Sequence, residues 1–133
     1  MPSASPLDRA QPNSGRLARA LVAAGGVAMV LALRRLRESG GLKSIPVQDY
    51  VAATSVGVVG GTALLDLAYE EDSRAEVDMN IVKTGDGRFI EVQGTAEGPP
   101  FDRRALDSLM ELGDAGVREL VTLQRTIVGD LIK

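Results

Sequence analysis

Two aspartates lie close together near the middle of the chain, Asp72 in an acidic stretch and Asp78 six positions later. From Val77 to Lys83 apolar and polar residues alternate, which predicts a strand with Asp78 on the face opposite the apolar side chains. A loop before this strand can bring Asp72 back to within ~5 Å of Asp78, where two carboxylates repel each other unless a cation lies between them. Such a pair suits Mg²⁺, which binds carboxylate oxygens and keeps its other positions for water and phosphate.

The same alternation also fits an ordinary hairpin with one exposed face and no chemistry, and the residues alone leave both interpretations open. Thr84-Gly85-Asp86-Gly87 predicts a tight turn, because glycine accepts a positive φ. Arg88 to Thr95 then predicts the returning antiparallel strand. Asp66, near the end of an earlier strand, is a weaker third acidic candidate.

The composition excludes several kinds of catalytic site. The chain has 133 residues and contains neither cysteine nor histidine, so disulfides, thiolate metal sites and Ser-His or Cys-His nucleophiles are impossible. Chemistry must use carboxylates, Lys and Arg, hydroxyls, backbone amides or a bound ion. The net charge is −3, and the acidic residues are concentrated after residue 45. This distribution argues against nonspecific binding of nucleic acid by the whole domain.

A long helix is predicted from Arg16 to Glu38, and its uncharged stretch from Ala20 to Leu33 admits three interpretations. A transmembrane span needs about 20 such residues, so this stretch is short. A secretory signal fits the upstream arginines, but Arg34 and Arg35 follow where small residues should stand. We favour a helix buried against a sheet. Residues 1–15 are rich in Pro, Ser and Ala and are predicted to be a disordered leader.

The remaining pattern predicts two hairpins and a final helix. Val51 to Val59 and Ala63 to Leu67 form the first hairpin, and Asp102 is the N-cap of a helix that contains Gly113 and Gly116. Those glycines either weaken the helix or allow its close approach to the sheet. The predicted fold class is α+β, an antiparallel or mixed four-stranded sheet with two helices packed on one face.

Three segments carry a family resemblance over roughly residues 27–127. These are Glu71-Asp72-Ser73 with Asp78-Met79-Asn80, Thr84-Gly85-Asp86-Gly87-Arg88, and Glu91-Val92-Gln93-Gly94-Thr95-Ala96-Glu97-Gly98. They resemble the C-terminal half of the ribonuclease PH family. The resemblance implies a partial ribonuclease PH-like domain over residues 16–133, with the fold of the second domain of ribosomal protein S5.

The resemblance also implies a function. Members are phosphate-dependent 3′→5′ exoribonucleases, or tRNA nucleotidyltransferases, which trim tRNA 3′ ends and release nucleoside diphosphates. Asp72 and Asp78 match the residues to which the family gives metal and catalytic roles. The implied cofactor is Mg²⁺, with inorganic phosphate as co-substrate. The implied partners are tRNA and other RNA 3′ ends and further copies of the chain in a ring, in the cytoplasm and without a membrane.

One segment departs from the family pattern. The family places Gly-Gly-Thr-Arg, which holds the attacking phosphate, just before its first helix of this half, whereas this chain has residues 14–20, Ser-Gly-Arg-Leu-Ala-Arg-Ala. Residues 1–23 look unrelated to the family, and its N-terminal half is expected to be missing or replaced. The alternatives are a catalytically silent half-domain that serves as an assembly or binding module, and a small membrane-anchored protein.

Overall fold

A computed structural model describes residues 14–66 and 74–129, with side chains from residue 24 onward. The elements are α1 (Ser14–Glu38), β1 (Val51–Val59), β2 (Thr62–Leu65), β3 (Val77–Thr84), β4 (Phe89–Ala96) and α2 (Arg103–Val128). Most of the predicted leader, residues 1–13, lies outside the described residues, and α1 begins two residues earlier than predicted.

The four strands form one sheet in the order β2-β1-β3-β4, and every neighbouring pair is antiparallel. The central pair aligns Gly57 of β1 with Asp78 of β3. On its other side, β3 aligns Asp78 with Thr95 of β4. The predicted α+β class is therefore confirmed, and of the two sheet types considered the antiparallel one is present.

Strand β3 has one buried and one more accessible face, as its alternating sequence predicts. Val77, Met79 and Ile81 are almost completely buried and belong to the largest apolar cluster. Asp78 and Asn80 alternate with them, so their side chains lie on the opposite face of the sheet. Burial of the three apolar side chains therefore fixes the direction in which Asp78 points.

Helix α2 covers the buried face of the sheet. Asp102 is its N-cap, because the Asp102 carboxylate accepts a hydrogen bond of 2.8 Å from the backbone N–H of Ala105. Its apolar side packs Leu109 against the β3 cluster and Val117 against Ala52 of β1. The predicted cap and the predicted packing of this helix on the sheet are both confirmed.

Two glycines let α2 approach the sheet closely. A Cβ at Gly116 would come within 2.8 Å of Cγ2 of Thr54 and 3.0 Å of Cδ1 of Leu65, and a Cβ at Gly113 would collide with Ile81. The hydroxyl of Thr54, which is buried, donates a hydrogen bond of 3.2 Å to the carbonyl oxygen of Gly113. The close approach of α2 to the sheet therefore requires glycine at both positions.

Helix α1 is less buried than predicted. Val30 is buried against Val128 of α2, and the Arg34 guanidinium donates a hydrogen bond to the carbonyl oxygen of Val128. Met29 and Leu36, however, are about half exposed. The prediction of a buried helix was therefore right for one side only, since small residues spread around the helix conceal which side packs. None of the helices in the described ranges is long and apolar enough to cross a membrane.

The first hairpin is shorter than predicted. Strand β2 ends at Leu65, and Asp66 takes a left-handed backbone conformation with φ of 57° while its N–H donates to the carbonyl oxygen of Ser55. This turn explains the earlier end of the strand, because a residue with positive φ does not continue an extended ladder.

Replacing Gly116 by Ala should destabilise the protein, although alanine has the higher helix propensity. The added methyl would clash with Thr54, which is branched at Cβ and buried, so we expect a loss of about 1–3 kcal/mol in the free energy of unfolding. Urea denaturation followed by circular dichroism measures this loss. Gly25→Ala in α1 is the matched control, because a Cβ there meets no atom within 4 Å, and it should gain about 0.5–1 kcal/mol. An equal gain for Gly116→Ala would contradict the close approach.

Candidate functional site

Asp78 lies in the middle of the sheet, on the face away from α2. Gly57 of β1 and Thr95 of β4 are its direct partners across the two neighbouring strands. Residues directly opposite each other share a face, so Thr95 and Asp78 are neighbours on one face of the sheet, while β1 contributes only backbone at Gly57. The Asp78 side chain is partly buried and Thr95 is exposed.

The next row of this face contributes an oriented amide. Ser55 and Gln93 lie opposite Asn80 on either side of it. The Ser55 hydroxyl donates a hydrogen bond of 2.6 Å to Oδ1 of Asn80. Because the oxygen of the amide accepts this bond, the NH₂ group of the exposed Asn80 is the part that can donate to a ligand.

Of the two predicted acidic residues, the structure describes Asp78 but not Asp72. Asp78 is on the accessible face, as the alternation predicts. Asp72 lies outside the described residues, so its predicted approach to Asp78 stays a prediction. Asp66 is buried. Its backbone N–H donates to the carbonyl oxygen of Ser55 in β1, so strand β1 separates Asp66 from Asp78. Across residues 14–66 and 74–129, acidic residues form no group of three that could hold a metal ion.

The side chains around Asp78 suit a hard cation. Its row and the next one supply a carboxylate, a hydroxyl and one amide oxygen, from Asp78, Thr95 and Gln93. Lys83, the basic residue of β3, is on the other face with Ile81. Oxygen donors with a net negative charge are the ligands that Mg²⁺ prefers, so the donor set fits the metal implied by the sequence.

The turn between β3 and β4 is held by its own polar side chains. The Asp86 carboxylate accepts hydrogen bonds from the Thr84 hydroxyl and, at 2.8 Å, from Nε of Arg88. Asp49 braces the turn from outside, since its carboxylate accepts from the backbone N–H of Asp86 at 3.0 Å and of Tyr50 at 2.7 Å. These contacts give the motif residues Thr84, Asp86 and Arg88 a structural role.

Comparison with known proteins identifies the family. Residues 49–116, just over half of the chain, match the model described as the 3′ exoribonuclease family, domain 2. The chain belongs to this family. The resemblance to ribonuclease PH that the motifs predicted is thereby confirmed, and the matched residues include β1 to β4 and half of α2.

Curated relatives show how much of a family member the chain contains. The ribonuclease PH of Syntrophomonas wolfei is 56% identical over 103 residues, which are 77% of this chain and 43% of that protein. The ribonuclease PH of Bacillus pumilus is 49% identical over 108 residues, 80% of this chain and 45% of that protein. The chain therefore spans less than half the length of these family members.

A solved structure agrees on the fold. A chain of an archaeal exosome core superposes with a TM-score of 0.51 at 23% identity, over 62% of this chain and 32% of that chain. At this identity the likeness concerns the fold alone. It supports the α+β arrangement of the antiparallel sheet and its helices.

Sequence reasoning placed Asn80 on the face of Asp78 but missed the neighbours on the adjacent strands, Ser55 and Thr95. Thr95 and the Ser55–Asn80 pair share its face because of the strand register. Counting residue pairs along the two strands from the 84–87 turn would have paired Asp78 with a β4 residue close to Thr95, but not with Thr95 itself. The irregularity in pairing between Val82 and Lys83 shifts that count by one residue.

The turn predicts a measurable dependence on pH. Hydrogen bonds from Thr84 and Arg88 lower the pKa of Asp86 below its ordinary value of 3.8. A lowered pKa in the folded state means that Asp86 stabilises the fold above pH 3.8 and that this contribution is lost as the pH falls through the folded-state pKa. Asp86→Asn should therefore flatten the dependence of unfolding free energy on pH below about 4. Urea denaturation at a series of pH values checks this, with Thr84→Val expected to flatten it less. An unchanged pH profile in Asp86→Asn would contradict the role of the carboxylate.

Proposed function

We propose that this chain supplies the catalytic carboxylates of a phosphate-dependent 3′→5′ exoribonuclease that trims tRNA 3′ ends. The observation that carries the proposal is the position of Asp78, partly buried on a polar face of a domain that belongs to the 3′ exoribonuclease family. The names of its ribonuclease PH relatives support the same reaction class.

The proposed reaction is phosphorolysis of the terminal nucleotide. An oxygen of inorganic phosphate attacks the phosphorus of the last phosphodiester, and the bond from that phosphorus to the 3′ oxygen of the preceding nucleotide breaks. The terminal nucleotide leaves as a nucleoside diphosphate, and the 3′ oxygen takes up a proton. No covalent intermediate with the protein is needed, which suits a chain that lacks cysteine and histidine.

Asp72 and Asp78 would hold Mg²⁺, and one of them would assist the proton transfer. The ion, when bound, offsets the negative charge that builds on the transferring phosphoryl group. Asn80 can donate from its NH₂ group and Thr95 from its hydroxyl, so these side chains would orient the RNA terminus beside Asp78. We assign no residue of this chain to inorganic phosphate.

A second candidate function is that of an assembly or binding module. Strand β4 lies at the edge of the sheet, and its side chains Phe89, Ile90 and Val92 are about half exposed. An apolar edge strand of this kind can pair with another chain. The proposed cytoplasmic ring of identical subunits would place such edges in contact.

Asp78→Asn tests the catalytic proposal. The substitution keeps the size of the side chain and removes the charge, so we expect phosphate-dependent release of nucleoside diphosphate to fall by about 100-fold or more. The assay uses a tRNA with an extended 3′ end, with and without phosphate and Mg²⁺. Circular dichroism should show an unchanged fold.

Asp107→Asn is the control, because Asp107 is an exposed carboxylate on α2 in an ion pair with Arg103. It should leave the rate unchanged. Full activity of Asp78→Asn would refute the catalytic assignment. If the unsubstituted chain formed a ring but released no nucleoside diphosphate, the assembly function would replace it.

A further inference from the structure

A basic cavity lies at the turn end of the β3–β4 hairpin, on the side of the sheet that faces α2. Its volume is about 270 Å³. It is lined by Lys83 and Thr84 of β3 and by Asp114, Arg118, Thr122 and Arg125 of α2. Lys83 alternates onto the face of β3 opposite Asp78, and α2 covers that same face.

Lys83 contributes a positive charge whose position in the cavity is fixed by its neighbours. Its side chain is only 10% exposed, and its ammonium lies 2.5 Å from Oδ1 of Asp114. The same ammonium lies 4.5 Å from the centre of the Phe89 ring. An ammonium has three donors, and Asp114 uses one of them. Burial, the ion pair and the ring together hold Lys83 in place with donors remaining for a ligand.

Two arginines of α2 add positive charge to the cavity lining. Arg118 and Arg125 lie seven residues apart on α2, which places them on the same side of the helix and about 10 Å apart along its axis. Both are exposed. Within the described ranges neither forms an ion pair, and the Arg125 guanidinium lies 5.5 Å from the centre of the Tyr50 ring.

The other polar groups of the cavity already have partners. The Thr84 hydroxyl donates to Asp86, and the Thr122 hydroxyl donates to the backbone carbonyl of Arg118. The N–H of Gly85 donates to the carbonyl of Tyr50. The donors left for a ligand are therefore the cationic ones, and three cations face one carboxylate in a chain of negative net charge.

We propose that this cavity binds the phosphodiester backbone of an RNA strand. Cationic side chains bind the phosphate groups of a nucleic acid. Because the cavity has no free neutral donors to pair with base edges, it should not distinguish one base from another. The spacing of Arg118 and Arg125 exceeds the size of one phosphate group, which favours a chain of phosphates over a single ion. The inference rests on the proposed function for RNA as the ligand.

The cavity would hold a part of the RNA that does not react. Lys83 and Asp78 are five residues apart on β3, so they are separated by about 17 Å along the strand, and they lie on opposite faces. The cavity therefore contacts nucleotides upstream of the terminus and adds affinity without touching the reacting phosphorus.

The test measures RNA binding by fluorescence anisotropy at several salt concentrations, with a labelled single-stranded RNA and the complete chain. The variant Arg118→Ala/Arg125→Ala should bind about tenfold more weakly at low salt, and the slope of log K against log salt should fall in magnitude by about 1.4, since each lost phosphate contact removes about 0.7. Arg118→Lys/Arg125→Lys keeps the charge and should keep the slope.

Arg35→Ala/Lys43→Ala is the matched control, because it removes two exposed charges outside the cavity. It should bind like the unsubstituted chain. Equal slopes for the cavity variant and the unsubstituted chain would overturn the inference while leaving the catalytic proposal intact.

Two further outcomes concern the ligand. If the unsubstituted chain bound no RNA, both this inference and the proposed substrate would be wrong. Inorganic phosphate is the second probe, added as a competitor. If low concentrations displaced the RNA from the unsubstituted chain and not from the cavity variant, the cavity would be a site for a single anion and the RNA assignment would be overturned.

Discussion

The structure depends on the alternation of buried and accessible side chains along β3. This strand is central in the sheet, and Val77, Met79 and Ile81 anchor it to the apolar cluster under α2. A shift of one residue would expose all three and bury Asp78 and Asn80. The position of the carboxylate is therefore enforced by the free energy of burying its apolar neighbours, and the eight residues of β3 carry both the candidate catalytic carboxylate and part of the core.

The close packing of α2 on the sheet also fixes the position of side chains on the buried face of β3. Gly113 and Gly116 bring the helix backbone against Thr54 and Ile81. The same approach places Asp114 next to Lys83, so a buried ammonium has its counter-charge on the helix. One face of β3 thus supplies the core and the basic cavity, and the other supplies the candidate catalytic carboxylate. The two proposed RNA contacts lie on opposite sides of one strand.

Local sequence patterns predicted the elements that depend on local physics. The period of two in β3, the glycine turn after it and the cap at Asp102 each arise from residues close together in the chain, and the structure has all three. Motif resemblance predicted the family, whereas the strand pattern left open whether the sheet was antiparallel or mixed. The one-sided burial of α1 could not be predicted, because its small residues give no distinct apolar stripe.

Contacts between distant residues were likewise invisible in the sequence. The pairs Lys83–Asp114 and Ser55–Asn80 join residues 31 and 25 positions apart, and their partners follow from helix placement and strand register. The early end of β2 at Leu65 depends on the positive φ of the next residue, Asp66. Strand register, the placement of α2 and the positive φ of Asp66 do not follow from the spacing of apolar residues, so short periodic patterns do not predict them.

We propose that Asp78 and Asp72 together bind a divalent cation on the accessible face of the sheet. Titration with Mn²⁺, which also prefers oxygen ligands, tests this directly by the broadening of backbone amide resonances. The account predicts that resonances of Asp78, Thr95 and residues 71–73 broaden first, and that Asp72→Asn abolishes this broadening. Broadening that spares Asp78, or that persists unchanged in Asp72→Asn, would contradict it.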